Sequence, residues 1–131
     1  MMFVDTSAII SILSEEEDAD EFSRRIIASE TRLTSALVIL EAVMRLSTKL
    51  KLPPLEVASD VESLCDRLSL EVVPINEQDG VIAVEAFARF GKGRGHPAQL
   101  NLADCLSCAC AKSRGVPLLY KGNDFSRTDL R

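Results

Sequence analysis

The chain contains a single histidine, His96, and its four cysteines form neither a metal knuckle nor a disulfide framework. Cys105, Cys108 and Cys110 fall within six residues on what reads as one helix, with Cys65 far away. Sulfurs so placed cannot all converge on zinc, and adjacent helical turns rarely give bridging geometry, so reduced, buried thiols are expected. The first residues carry no basic leader, and Asp5 would interrupt a signal peptide. The apolar run Ala36 to Leu40 is far too short to span a bilayer. A soluble, cytoplasmic protein without a membrane partner is the expectation. No Gly-Lys-Ser/Thr closes the glycine-rich stretch 91–97, which excludes a P-loop, and no internal repeat is visible.

What is present is enough apolar material for one core: 131 residues, 47% of them hydrophobic, point to a single domain. The net charge of −5 conceals a division within the chain. Residues 1–88 hold 7 basic and 17 acidic side chains, and residues 89–131 hold 8 basic and 3 acidic. The basic excess includes Arg89, Lys92, Arg94, Lys112, Arg114, Lys121 and Arg127, and is either a phosphate-binding surface or solvated surface charge.

Phe3-Val4 reads as a short strand ending at Asp5, after which Thr6 or Ser7 is expected to cap a helix through Leu13. A second helix carries Phe22, Ile26 and Ile27. Strand Arg32–Thr34 leads into a helix over 36–51, Pro53-Pro54 opens another over 55–68, and a strand over 70–75 follows. Asn76 caps the next helix, with Glu77 and Asp79 as first-turn acids favoured by the dipole. Gly91 to Pro97 is a loop, Leu100 to Ser113 a helix, and Val116 to Tyr120 a strand, with an edge strand around Thr128–Leu130. This alternation predicts an α/β fold with a mostly parallel sheet of four to five strands covered by helices on both faces. Ligands of such sheets bind beyond the carboxyl ends of the strands, where Asp5 and Asp124 fall.

Four acids interrupt apolar surroundings: Asp5, Glu41, Asp104 and Asp124. Each has a plainer alternative. Asp5 can cap a helix, Glu41 can pair with Arg45 one turn on, Asp124 can serve a Gly-Asn-Asp turn, and Asp104 can be a structural helix residue. Asp104 reads as a lone acid in the middle of an apolar helix, with Asn101 on its face as a hydrogen-bonding partner. Two charges ~4 Å apart repel by roughly 4 kcal/mol at an effective dielectric near 20. A cluster therefore needs protonation or a divalent ion, and oxygen ligands without histidine favour Mg²⁺ or Mn²⁺.

Asp5-Thr6-Ser7 after a hydrophobic strand, Glu41 on the third helix, Leu-Asn-Leu-Ala-Asp104-Cys and Lys-Gly-Asn-Asp124-Phe together resemble the PIN-domain ribonucleases, the VapC toxins among them. The resemblance spans residues 1–131 as one PIN-like nuclease domain. It implies a metal-dependent endoribonuclease with Asp5, Glu41 and Asp104 as core acidic ligands, Asp124 as a more variable fourth, and Thr6 or Ser7 as the hydroxyl beside the first acid. It also implies Mg²⁺ or Mn²⁺ as cofactor, tRNA or ribosomal RNA as substrate, a homodimer, and a VapB-like antitoxin lying over the site. Ile12, Leu13, Leu40 and Met44 are candidates for the antitoxin surface, and Lys92, Arg94 and Lys121 for RNA contacts. A receiver-type phosphoacceptor domain is the alternative of another class, although its paired acids after the first strand are replaced here by Asp5-Thr6-Ser7. A PIN-like module that binds RNA or protein without turnover is the other.

Overall fold

The computed structural model describes residues 1–122. The expected ligand Asp124, Arg127 and the expected edge strand around Thr128–Leu130 lie outside the described residues. Strands β1 (Met2–Val4), β2 (Arg32–Ser35), β3 (Glu71–Val73) and β4 (Leu118–Leu119) form one sheet in the order β3-β2-β1-β4, and every pairing is parallel. Phe3 stands beside Leu33 on one side and Leu118 on the other, so the centre of the sheet is apolar on both strand neighbours.

Helices α1 (Thr6–Leu13), α2 (Ala19–Ala28), α3 (Ala36–Leu50) and α4 (Pro54–Arg67) connect strands that step one way along the sheet. Helices α5 (Glu77–Phe90) and α6 (Leu102–Ser113) carry the chain back past β1 to β4. Right-handed crossovers then place the two groups on opposite faces. In agreement, α1 packs on α2, α3 and α4, while α5 packs chiefly on α6. Phe3, Val4, Ile9, Ile26, Leu46, Leu100 and Leu119 are sealed in the core between these layers. The reversal of direction between β1 and β4 is a topological switch point, and it fixes where a ligand crevice opens.

Local chemistry explains most boundaries. Ser35 caps α3 by accepting from the Val38 N–H, and Pro54 opens α4 where a missing N–H costs nothing. Pro74 stops β3, and Asn76 with Asp79 closes a capping box on α5. Two expectations change. Asp5, rather than Thr6 or Ser7, is the N-cap of α1. Helix α6 starts at Leu102, because Asn101 is its cap and Leu100 is held in a bridge with Gly91.

Gly91 has an ordinary φ of −68°, yet a Cβ there would lie 2.5 Å from the Phe87 carbonyl oxygen and 2.3 Å from its ring. The ring can move aside but the helical carbonyl cannot. Gly91→Ala is therefore expected to lower the denaturation midpoint by the equivalent of about 1–3 kcal/mol. An unchanged midpoint in urea unfolding would show that the α5 terminus adjusts freely.

Candidate metal-dependent nuclease site

Asp5 stands at the carboxyl end of β1, and its backbone N–H donates to Leu119 of β4 (3.0 Å). Its side chain is almost wholly buried and caps α1 by accepting from the Ser7 N–H (3.3 Å) and hydroxyl (2.9 Å). Burial pushes the Asp5 carboxyl above its ordinary range, and the negative charge of Glu41 adds to this. Hydrogen bonds from Ser7 and from the Ser107 hydroxyl of α6 oppose the shift without cancelling it. Asp5 is thus both a cap and an acid whose ionised form the metal-free fold disfavours.

Glu41 reaches the same corner from α3, half-buried, and makes no ion pair with Arg45 among the described residues. It lines a hollow of about 250 Å³ with Leu37, Leu40, Met44, Asn101, Leu102 and Ala103, which brings the first turn of α6 against α3. Asp104 is buried in that turn. It accepts from the Asn101 N–H (3.1 Å), while the Asn101 side chain accepts from the Asp104 N–H (2.9 Å). Asp104 is therefore a third-position capping acid, not a mid-helix one, so its helical setting alone did not require a metal. Asn101 orients it through the backbone.

Ser107, buried one turn beyond Asp104, is the α6 hydroxyl that helps to lower the Asp5 pKa. Sequence reasoning gave Ser107 no role. Its spacing of three from Asp104 was the available signal, since that spacing puts both on one helix face. Thr6, expected beside the first acid, is buried with its hydroxyl unpaired among the described residues; the working hydroxyl is Ser7.

The other expected residues separate into two places. Lys92 and Arg94 lie in the loop after α5, Lys92 lining the α5/α6 groove and the Arg94 guanidinium 5.9 Å from the Phe87 ring centre. Lys121 lies across the site, where its ammonium pairs with Glu16 (3.0 Å) and Asp18 (3.2 Å) and its N–H donates to the Ser7 hydroxyl (2.8 Å). Arg114 is no part of a phosphate surface, because it is bound to buried Asp79.

Among the described residues, the acids and hydroxyl named at this corner, Asp5, Glu41, Asp104 and Ser7, all offer oxygen. His96 is engaged elsewhere, its Nδ1 accepting from the Ala98 N–H (3.0 Å) and its ring set edge-on to Phe90, and all four cysteines are buried and outside any disulfide. Such a donor set fits Mg²⁺ or Mn²⁺, which one or two carboxylates hold together with waters and substrate phosphate. It does not form a closed cage: among the described residues no group of three or more His, Cys, Asp or Glu is placed to hold a metal ion.

A model of the PIN domain matches residues 2–130. A VapC ribonuclease of Rhizobium meliloti is 43% identical over 99% of both chains. This chain belongs to the PIN-domain VapC ribonucleases. Ribonuclease VapC28 of Mycobacterium tuberculosis is 42% identical, covering 99% of this chain and 96% of its own. The solved structure of Mycobacterium tuberculosis VapC20, described as a Sarcin-Ricin loop cleaving toxin, superposes with a TM-score of 0.73 at 19% identity, over 100% of this chain and 97% of that one. That likeness speaks for the fold. PIN-domain ribonucleases are metal-dependent as a class. The receiver-type alternative falls away with the family. No helix among the described residues is long and apolar enough to cross a membrane.

Proposed function

We propose that this VapC ribonuclease is the toxin of a toxin–antitoxin pair, hydrolysing tRNA or ribosomal RNA at a Mg²⁺ or Mn²⁺ site held by Asp5, Glu41, Asp104 and Asp124. The observation that carries the reading is a buried, charge-opposed Asp5 at the switch point of the sheet, facing Glu41. Ser7 fixes the Asp5 carboxylate through its N–H and hydroxyl, so its free lone pairs are oriented before any ligand arrives. Asn101 does the same for Asp104. When bound, the ion supplies charge stabilisation for the phosphodiester and a water of lowered pKa. In this reading Lys92 and Arg94, in the loop after α5, meet RNA phosphates.

The VapB-like antitoxin is assigned to the apolar hollow beside Glu41, where Leu40 and Met44 are exposed; Ile12 and Leu13 are partly buried against the core and contribute less. The homodimer expected of such a toxin has a suitable surface in the exposed Val81, Val84 and Phe87 of α5. Protein with its site residues intact is expected to cleave structured RNA with Mg²⁺ or Mn²⁺, leave 5′-phosphates, and stop when EDTA is added. RNA bound but uncut in either metal would make it an idle PIN-like module, and acetyl-phosphate labelling of Asp5 would revive the receiver reading.

A further inference from the structure

A second pocket, of about 370 Å³, opens next to the carboxylates and shares Ser7 with them. Ile10, Glu16, Arg45, Lys49 and Lys121 form the rest of its lining. Three of its side chains are cationic and one acidic, and the acid is already occupied: Glu16 pairs with Lys121 at 3.0 Å and with Lys49 at 3.6 Å. Lys121 is further neutralised by Asp18 at 3.2 Å. The exposed Arg45 has no hydrogen bond or ion pair among the described residues, so the pocket holds one uncompensated guanidinium. Glu41, Arg45 and Lys49 succeed one another at steps of four residues on α3, about 6 Å apart along its axis. The helix thus presents an acid at the cleavage centre and then two cations leading away from it.

We propose that this pocket is a phosphate subsite, in which Arg45 and Lys49 hold an RNA backbone phosphate next to the one being cleaved. The inference rests on the nuclease reading. A guanidinium fork suits the two free oxygens of a phosphodiester, and Lys49 supplies a second point charge from the adjacent turn. Ser7 links the two sites physically, since its hydroxyl donates to Asp5 while its lone pair receives the Lys121 N–H. A phosphate held in the pocket would set the register of the strand over Asp5. Both cations are positioning residues, acting on substrate placement.

The test measures binding of a short single-stranded RNA by fluorescence anisotropy in EDTA, across a salt series, beside cleavage kinetics with Mn²⁺. Arg45→Ala is expected to weaken RNA binding roughly tenfold, as for loss of a charge-assisted hydrogen bond. It should also lower the slope of log K against log salt by about 0.7, one single-strand phosphate contact. In cleavage KM rises while kcat stays within about twofold, Arg45→Lys recovers part of the loss, and Lys49→Ala behaves like a weaker Arg45→Ala. Arg67→Ala, on an exposed cation before the start of β3 and so toward the opposite edge of the sheet, is the control for net charge. Unchanged affinity and salt slope in Arg45→Ala, or an equal loss in Arg67→Ala, would overturn the subsite. Absence of cleavage by the unaltered chain would instead overturn the nuclease reading, while the anisotropy still decides the subsite.

Discussion

Asp5→Asn is expected to lower RNA cleavage more than ~100-fold and, in EDTA at pH 7, to raise the melting temperature. The loss of rate follows if Asp5 is the direct ligand proposed above, since even outer partners of metal ligands typically cost 10–100-fold. The gain in stability follows from the state of Asp5 in the metal-free fold. Burial and, less strongly, the Glu41 charge raise its pKa, so the folded chain binds that proton more tightly than the unfolded chain does. The stabilisation from the protonated acid is complete below the unfolded value, about 3.9, and is lost as pH rises through the higher folded value. At neutral pH the ionised group is thus a burden that an amide removes. Asparagine keeps the cap, because its side-chain oxygen accepts from the Ser7 N–H as aspartate does. Each ~1 kcal/mol relieved raises the melting temperature by roughly 4 °C in a domain of this size.

Thermal scans from pH 3.5 to 8 check the sign: the advantage of Asp5→Asn should shrink towards the acid end. Saturating Mn²⁺ should reverse the order, because an ion at 100 times its dissociation constant adds about 2.7 kcal/mol to a chain that binds it and little to one that does not. A variant less stable than the parent in EDTA at pH 7 would show that the Asp5 charge is structural.

Arg114→Met is expected to destabilise the domain by about 3–5 kcal/mol, and to lower the melting temperature by roughly 10–20 °C. Asp79 is fully enclosed in the first turn of α5. Its enclosure opposes ionisation, but the Ser113 hydroxyl, the Asn76 N–H and the Arg114 guanidinium together hold its pKa below the usual range. Arg114 also donates to the carbonyls of Pro74 (2.7 Å) and Cys110 (3.2 Å), tying the end of β3 to the last turn of α6. Removing the cation strands a carboxylate with nowhere to go, the costly way to break a buried pair.

The double variant Asp79→Asn/Arg114→Met should recover much of the loss, since no charge is left uncompensated. The pH dependence runs opposite to that of Asp5. A depressed pKa contributes stability above the unfolded value near 3.9 that disappears as pH falls through the folded one, so acid unfolding should steepen below about pH 4. A cost under 1 kcal/mol in urea unfolding would mean that water replaces Arg114 readily.

The two outcomes show where reading along the chain succeeds. Ser35, Pro54 and Asn76 announce helix starts because capping is settled within four residues. The same local logic failed at Asp104 in an instructive way. Its apolar neighbours suggested a mid-helix acid, although Asn101 three residues earlier was a cap waiting for a partner. Asp79 was legible as a first-turn acid. Its ion pair was not, because Arg114 stands 35 residues away and comes near only once α5 lies along α6.

The sequence by itself determined the α/β alternation, the scarcity of histidine, and the acids that match the VapC pattern. These depend on residue type and spacing alone. Tertiary structure decided that Ser107 comes near Asp5, that Arg114 is bound to buried Asp79, and that Arg45 is left facing a pocket. Those facts depend on which helices the parallel sheet brings together. A crossover chain sets its contacts by topology, so residues far apart in sequence meet only once the parallel sheet has brought their helices together.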